Sequence, residues 1–175
     1  MSFALFGHSF IARISNHPTL DLSNFPVHFF GLNGGTSRQV LLHNITQKMM
    51  RLKPKKIYIQ IGENDISFNS DPFQIVKDIV RLVNTFRDIP DIDQVILGRL
   101  FKRYRPRGMS VEGYEIQRTI INLCLQKSFQ NDDVITFRSL NGLEECNRED
   151  LCDGVHLQKR LHGRYAEEIK SIFLD

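Results

Sequence analysis

The chain has 175 residues, of which 41% are apolar and 25% charged, and its formal net charge is +3. These values suit one soluble domain around a single core, and the charge is too small to point to nucleic acid or membrane as a partner. No run approaches the roughly 18 to 20 apolar residues of a membrane span, and no basic segment with a long apolar stretch behind it opens the chain as a leader would.

Short runs rich in Val, Ile and Phe alternate with segments of helical period. Phe3 to Phe6 predicts a first strand that starts at once, and residues 10 to 17 a short helix. Val27 to Phe30 predicts a second strand and residues 37 to 50 one helix. Ile57 to Ile61 predicts a third strand. The apolar stripe Phe73, Val76, Ile79, Val80, Val83 and Phe86 follows it, with Asp71-Pro72 as a helix start. Val95 to Leu97 and Val134 to Phe137 predict the last two strands. Between them Tyr114, Ile120, Ile121, Leu125 and Phe129 mark a helix, and Leu161, Tyr165, Ile169, Ile172 and Phe173 mark another at the C-terminus. Strands apolar nearly throughout suit a parallel sheet covered on both faces. The alternation therefore predicts an α/β fold: a three-layer α/β/α sandwich with a five-stranded parallel sheet, as one domain over 1–175.

In such a sheet ligands bind beyond the carboxyl ends of the strands. The segments just after the apolar runs are Gly7-His8-Ser9, "GLNGGTS" (31–37), "GENDIS" (62–67) and "GRLFKRYRPRG" (98–108), and "DLCDGVHL" (150–157) precedes the last helix. Together they hold the parts of a serine nucleophile system. Ser9 sits at a strand-to-helix turn, where its own N–H is free for an oxyanion. Asp153 and His156 are three apart, so one helical turn puts them on one face. Asp153 can accept from His156 Nδ1, which leaves Nε2 for the Ser9 proton. Gly34 lets a backbone N–H approach a ligand, Asn64 offers a side-chain donor, and Asp65 orders the loop.

The order of these segments resembles that of the SGNH hydrolases, the GDSL esterase/lipase family. That family carries GDS near its N-terminus, a glycine loop after the second strand, GxND after the third and DxxH near the C-terminus. The blocks here are Gly7-His8-Ser9, Asn33-Gly34-Gly35-Thr36-Ser37, Gly62-Glu63-Asn64-Asp65 and Asp153-Gly154-Val155-His156. The resemblance implies a flavodoxin-like fold and a serine esterase needing no cofactor or metal. Ser9, Asp153 and His156 become its catalytic residues, and Ser9, Gly34 and Asn64 its oxyanion hole. "FGLNGGTSRQVL" is also similar to the short-acyl acetylhydrolase branch. Esterase domains in the first open reading frames of certain non-LTR retrotransposons are a second branch that fits, and the abrupt start suits one domain of a longer protein. Two positions depart: His8 stands for the Asp of GDS, and Gly35 for the Asp after the loop glycine. His8 reads as a loop-packing or solvent-facing histidine, with a second base as the alternative.

Small or lipid-like esters are the implied substrates. The alternative is a member that keeps the fold and binds lipid, carbohydrate or nucleic acid without turnover. Arg99, Lys102, Arg103, Arg105 and Arg107, interleaved with Phe101 and Tyr104, form a candidate rim for an anionic lipid or nucleic acid. Lys159, Arg160 and Arg164 extend it. Cys146, Cys152, His156 and His162 fall in a C-x5-C-x3-H-x5-H spacing that fits zinc poorly. Cys124, Cys146 and Cys152, an odd count without CxxC, suggest reduced thiols in an intracellular, cytoplasmic protein. GxSxG and GxGxxG are absent, which argues against an ordinary α/β-hydrolase and a dinucleotide binder.

Overall fold

A computed structural model describes residues 2–22 and 25–175. The expected alternation is present. Its elements are β1 (Phe3–Gly7), α1 (Ser9–Arg13), β2 (Val27–Gly31), α2 (Ser37–Leu42), α3 (Asn44–Leu52), β3 (Lys56–Gln60), α4 (Pro72–Arg87), β4 (Gln94–Gly98), α5 (Val111–Phe129), β5 (Ile135–Arg138) and α6 (Lys159–Leu174). The five strands form one parallel sheet in the order β2-β1-β3-β4-β5.

The period-2 alternation of strand side chains splits the core into two layers. Ala4, Phe6, Ile57, Ile59, Val95 and Leu97 face one side, where α2 to α5 supply Val40, Met49, Ile79, Phe86, Tyr114 and Ile121. Phe3, Leu5, Tyr58 and Ile96 face the other, against Phe10 and Ile11 of α1 and Tyr165, Ile169 and Phe173 of α6. Edge-on contact of Phe6 with Phe86 and stacking of Phe3 on Phe173, each at 4.8 Å, join β1 to both layers. Among the described residues no helix is long and apolar enough to cross a membrane.

Two helices differ from expectation. The segment over 37–50 is two helices, because His43 adopts an extended conformation (ψ 151°). Its Nδ1 then accepts from Ile45 N–H and caps α3. Thr46 Oγ1 donates across the break to Val40 O. The first helix stops at Arg13 rather than running to residue 17, and Asn16 has φ +61°. Elsewhere the start signals act as read: Asp71 accepts from Phe73 N–H with Pro72 behind it.

Chain order reverses direction across β1, with α1 on one face of the sheet and α2 and α3 on the other. That is the switch point where a crevice opens. Gly7 permits it. Its φ is +155°, and a Cβ there would lie 2.0 Å from Gln60 O of the neighbouring strand. At Gly34 (φ +71°) a Cβ would meet nothing within 4 Å. Gly7→Ala is therefore expected to cost about 2–4 kcal/mol of stability, from strain plus overpacking. Gly34→Ala should cost only about 1–2 kcal/mol, for its backbone conformation alone. Urea unfolding of the two variants checks the order; equal losses would contradict it.

Candidate active site

The turn that carries Ser9 is built from local chemistry. His8 is the N-cap of α1 and is fully buried, with Nδ1 accepting from Phe10 N–H at 3.4 Å. The cap starts the helix at Ser9 as soon as the strand ends. Ser9 N–H and Gly34 N–H have no protein acceptor among the described residues. Ser9 Oγ lies 2.9 Å from His156 Nε2, and His156 Nδ1 lies 2.6 Å from Asp153 Oδ2. Asp153 accepts at Nδ1, so the Nε2 lone pair faces the serine hydroxyl.

Asp153 and His156 do not share a helical turn, as their spacing suggested. Gly154, at φ +78°, turns the chain. Asp153 Oδ1 accepts from Val155 N–H (2.9 Å) and His156 N–H (2.7 Å), closing an Asx turn. The carboxylate thus holds both the backbone and the ring of His156. Partial burial would raise Asp153, but the His156 ring and the two backbone N–H donors hold it well below the carboxylate range. His156 is lowered from the usual histidine value, first by burial. The Asp153 hydrogen bond opposes this, and the Arg13 charge adds to it.

The third loop brings Asn64 to the same place. Its Nδ2 donates to Gly35 O at 3.1 Å, its Oδ1 accepts from Arg103 Nη2 at 2.7 Å, and a second N–H remains on Nδ2. Ser9, Asn33, Gly34, Asn64, Val155 and His156, with Ala12 and Arg13 of α1, line one cavity of about 400 Å³. Asp65, next in the chain, accepts from Ser37 N–H (3.0 Å) and from Ser37 Oγ–H, tying the third loop to the start of α2. Burial pushes Asp65 up to about 6 against these bonds.

Glu63 was not singled out in the sequence, yet it sits at the centre of these loops. It is fully buried, with Oε2 accepting from His8 Nε2 at 2.6 Å. Its Oε1 accepts from Gln60 Nε2 (2.6 Å) and Phe101 N–H (3.1 Å). Burial would raise its pKa; the contact with His8, the Arg103 charge and the Phe101 N–H bring it down to about 2. Both His8 nitrogens are engaged away from Ser9, so His8 packs the loop and is neither solvent-facing nor placed as a second base. The signal for it was the pairing of a basic departure in the first block with an acidic residue in the third.

The candidate anionic rim is dispersed. Arg103 is buried against Asn64. Arg99 donates to Gln126 at 2.7 Å and lies over Phe137, while Lys102 pairs with Glu145 at 3.0 Å. Arg105 and Arg107 are exposed without an ion pair among the described residues, as is Lys159. Arg160 pairs with Asp150, and Arg164 donates to Asn141 O. The backbone of this loop supports the site instead. Tyr104 and Arg105 N–H both donate to Gly154 O, bracing the turn that carries His156. Among the described residues no three Cys, His, Asp or Glu side chains gather as metal ligands. The Cys146, Cys152, His156 and His162 spacing is thus not brought together, and no cysteine is in a disulfide.

No family model and no curated protein matches the chain. Solved structures do. A GDSL-like lipase from Bacteroides thetaiotaomicron aligns at TM-score 0.79 and 18% identity over 99% of this chain and 87% of that one. Est24, a carbohydrate acetylesterase from Sinorhizobium meliloti, aligns at TM-score 0.71 and 18% identity over 99% of each chain. A carbohydrate esterase of family 3 from Talaromyces cellulolyticus aligns at 0.73 and 16%, over 99% and 96%. The fold is that of the SGNH/GDSL hydrolases.

His8→Asp would install the residue commoner in the family pattern, and it would face Glu63. Two carboxylates at this distance cannot both ionise cheaply, so the native state would hold a proton that the unfolded state releases. The variant should be less stable than wild type, and increasingly so from pH 4 to pH 8. Wild type should behave oppositely: stability from Glu63 is present above about pH 4.5 and lost as pH falls toward 2. Thermal unfolding of wild type from pH 2 to pH 5 and of the variant from pH 4 to pH 8 checks both signs; a variant that gains stability as pH rises from 4 to 8 would contradict the assignment.

Proposed function

We propose that the chain is a serine esterase that hydrolyses small, short-acyl carboxylic esters through an acyl-enzyme. The observation that carries this reading is the line Asp153–His156–Ser9, at 2.6 and 2.9 Å, beside a cavity lined by three residues that each keep an N–H without a protein acceptor among the described residues. Those donors are the Ser9 amide, the Gly34 amide and the second Asn64 Nδ2–H. The esterases among the fold's relatives agree with it.

In this reading Ser9 Oγ attacks the ester carbonyl carbon while His156 Nε2 takes its proton. The carbonyl oxygen becomes an oxyanion held by the three donors. The tetrahedral adduct collapses, the ester C–O bond breaks, and His156 returns the proton to the leaving alkoxide. Water then adds to the acyl-enzyme with His156 as base, releasing the acid and restoring Ser9. Asp153 keeps His156 in the required tautomer and supports the imidazolium.

The cavity favours a small acyl group because Ala12 and Val155 are its apolar lining. Its one cation is Arg13, four residues after Ser9 and so on the same face of α1. Arg13 is exposed and has no partner among the described residues, and no carboxylate lines the cavity. An anionic group near the scissile ester would find its complement there, a role the sequence had suggested for the loop after β4.

Hydrolysis of p-nitrophenyl acetate, butyrate and octanoate tests the reading. Acetate and butyrate should turn over faster than octanoate, Ser9→Ala should be inactive, and Asn64→Ala should lose about 10²-fold or more in kcat. Turnover that survives Ser9→Ala would contradict the mechanism, and wild type inert on every ester would favour a binding module. The acid limb of kcat/KM should fall below the usual histidine value of about 6.5. Arg13→Gln should move it upward, because a cation that disfavours imidazolium is removed. The hemisuccinate ester of p-nitrophenol should exceed butyrate by roughly three- to tenfold in kcat/KM, and Arg13→Gln should erase that preference.

A further inference from the structure

We infer that Arg103 is a positioning residue for the oxyanion hole, acting through Asn64. The inference rests on the esterase reading and adds a part to it. Arg103 comes from the loop after β4, among five basic residues within nine positions that suggest a solvated surface. Yet it is 8% exposed. Its Cζ lies over the Tyr114 ring at 5.8 Å, and Tyr114 is itself buried with its hydroxyl donating to Phe101 O at 2.9 Å. The ring offers its negative face to the charge.

A guanidinium taken out of water is expected to find a carboxylate. Arg103 has none within ion-pair distance among the described residues, and its buried Nε has no partner. The nearby buried acid, Glu63, is already held by His8, Gln60 and Phe101 N–H. The one hydrogen bond Arg103 makes to the described residues is to the Asn64 carboxamide oxygen, at 2.7 Å. So its charge is directed at a neutral amide that faces Ser9 across the cavity.

Two consequences follow from the chemistry of the amide. First, its orientation is determined. Arg103 has only donors and must meet Oδ1, whereas Gly35 O has only lone pairs and must meet Nδ2. A flipped Asn64 would face donor to donor and acceptor to acceptor, and would turn a carbonyl oxygen toward the forming oxyanion. Second, a cationic donor on Oδ1 draws electron density from the amide and makes the remaining N–H a stronger donor. The charge is fixed before the reaction, so it stabilises the oxyanion without reorganisation.

A double-mutant cycle on p-nitrophenyl acetate tests this. Arg103→Met should lower kcat by about 10- to 100-fold, with KM changed less than about threefold. In an Asn64→Ala background the same change should cost less than about twofold, because there is no amide left to orient. Equal losses in both backgrounds, or full kcat in Arg103→Met, would overturn the inference. If Arg103→Met does not fold, the cycle is run with Arg103→Lys, which keeps a charged donor without the fork; it should fall between Met and wild type. Failure of the esterase reading is separable. If wild type turns over no ester, the Asn64 side-chain amide resonances still report the contact. They should move toward free-amide positions in Arg103→Met, and unchanged resonances would overturn the contact.

Discussion

A buried carboxylate must be surrounded by donors, and Glu63 draws its donors from three separate stretches of chain. His8 comes from the end of β1, Gln60 from the end of β3, and the Phe101 N–H from the loop after β4. These are the stretches that carry Ser9, Asn64 and Arg103. Satisfying one charge therefore sets three loops relative to one another, and removing it would leave two buried side chains and a backbone N–H unsatisfied at once. The fourth loop, with Asp153 and His156, is joined to this frame through the backbone donors of Tyr104 and Arg105 on Gly154 O. The fifth, with Gly34, is joined through Ser37 on Asp65.

The electrostatics of the cavity divide into two parts. Negative charge lies behind the histidine, on Asp153, where it would support a cation on the ring. Positive character lies in front: three N–H groups, Arg13 on the wall, and Arg103 behind Asn64. A developing oxyanion would form on the positive side, and a developing imidazolium between it and Asp153. This separation matches the charge movement of acyl transfer, and it arises from residues that differ by up to 147 positions in the chain.

Most of the sheet was legible in the sequence because parallel strands buried on both faces leave short unbroken apolar runs. The blocks at strand ends were legible because topology confines ligand chemistry to that edge. What stayed hidden depended on contacts between distant segments or on local competition. The break at His43 was masked because apolar spacing continues across it; the capping histidine, not the pattern, divides the helix. The Asx turn at Asp153 did have a local sign, since Asp-Gly is a turn pair, and helical spacing was the wrong reading of it. The burial of His8 depends on Glu63, 55 residues away. Arg103 looked like its solvated neighbours, and only the path of the loop over Tyr114 turns it inward.

In the proposed esterase Ser9 is an activated nucleophile beside a preformed oxyanion hole. Reaction with a fluorophosphonate, followed by intact-mass measurement and peptide mapping, tests it without reference to any natural substrate. One phosphonyl group per chain on the peptide containing Ser9, absent from Ser9→Ala and strongly slowed in His156→Ala, is the predicted result. No adduct, or the same adduct in Ser9→Ala, would contradict it.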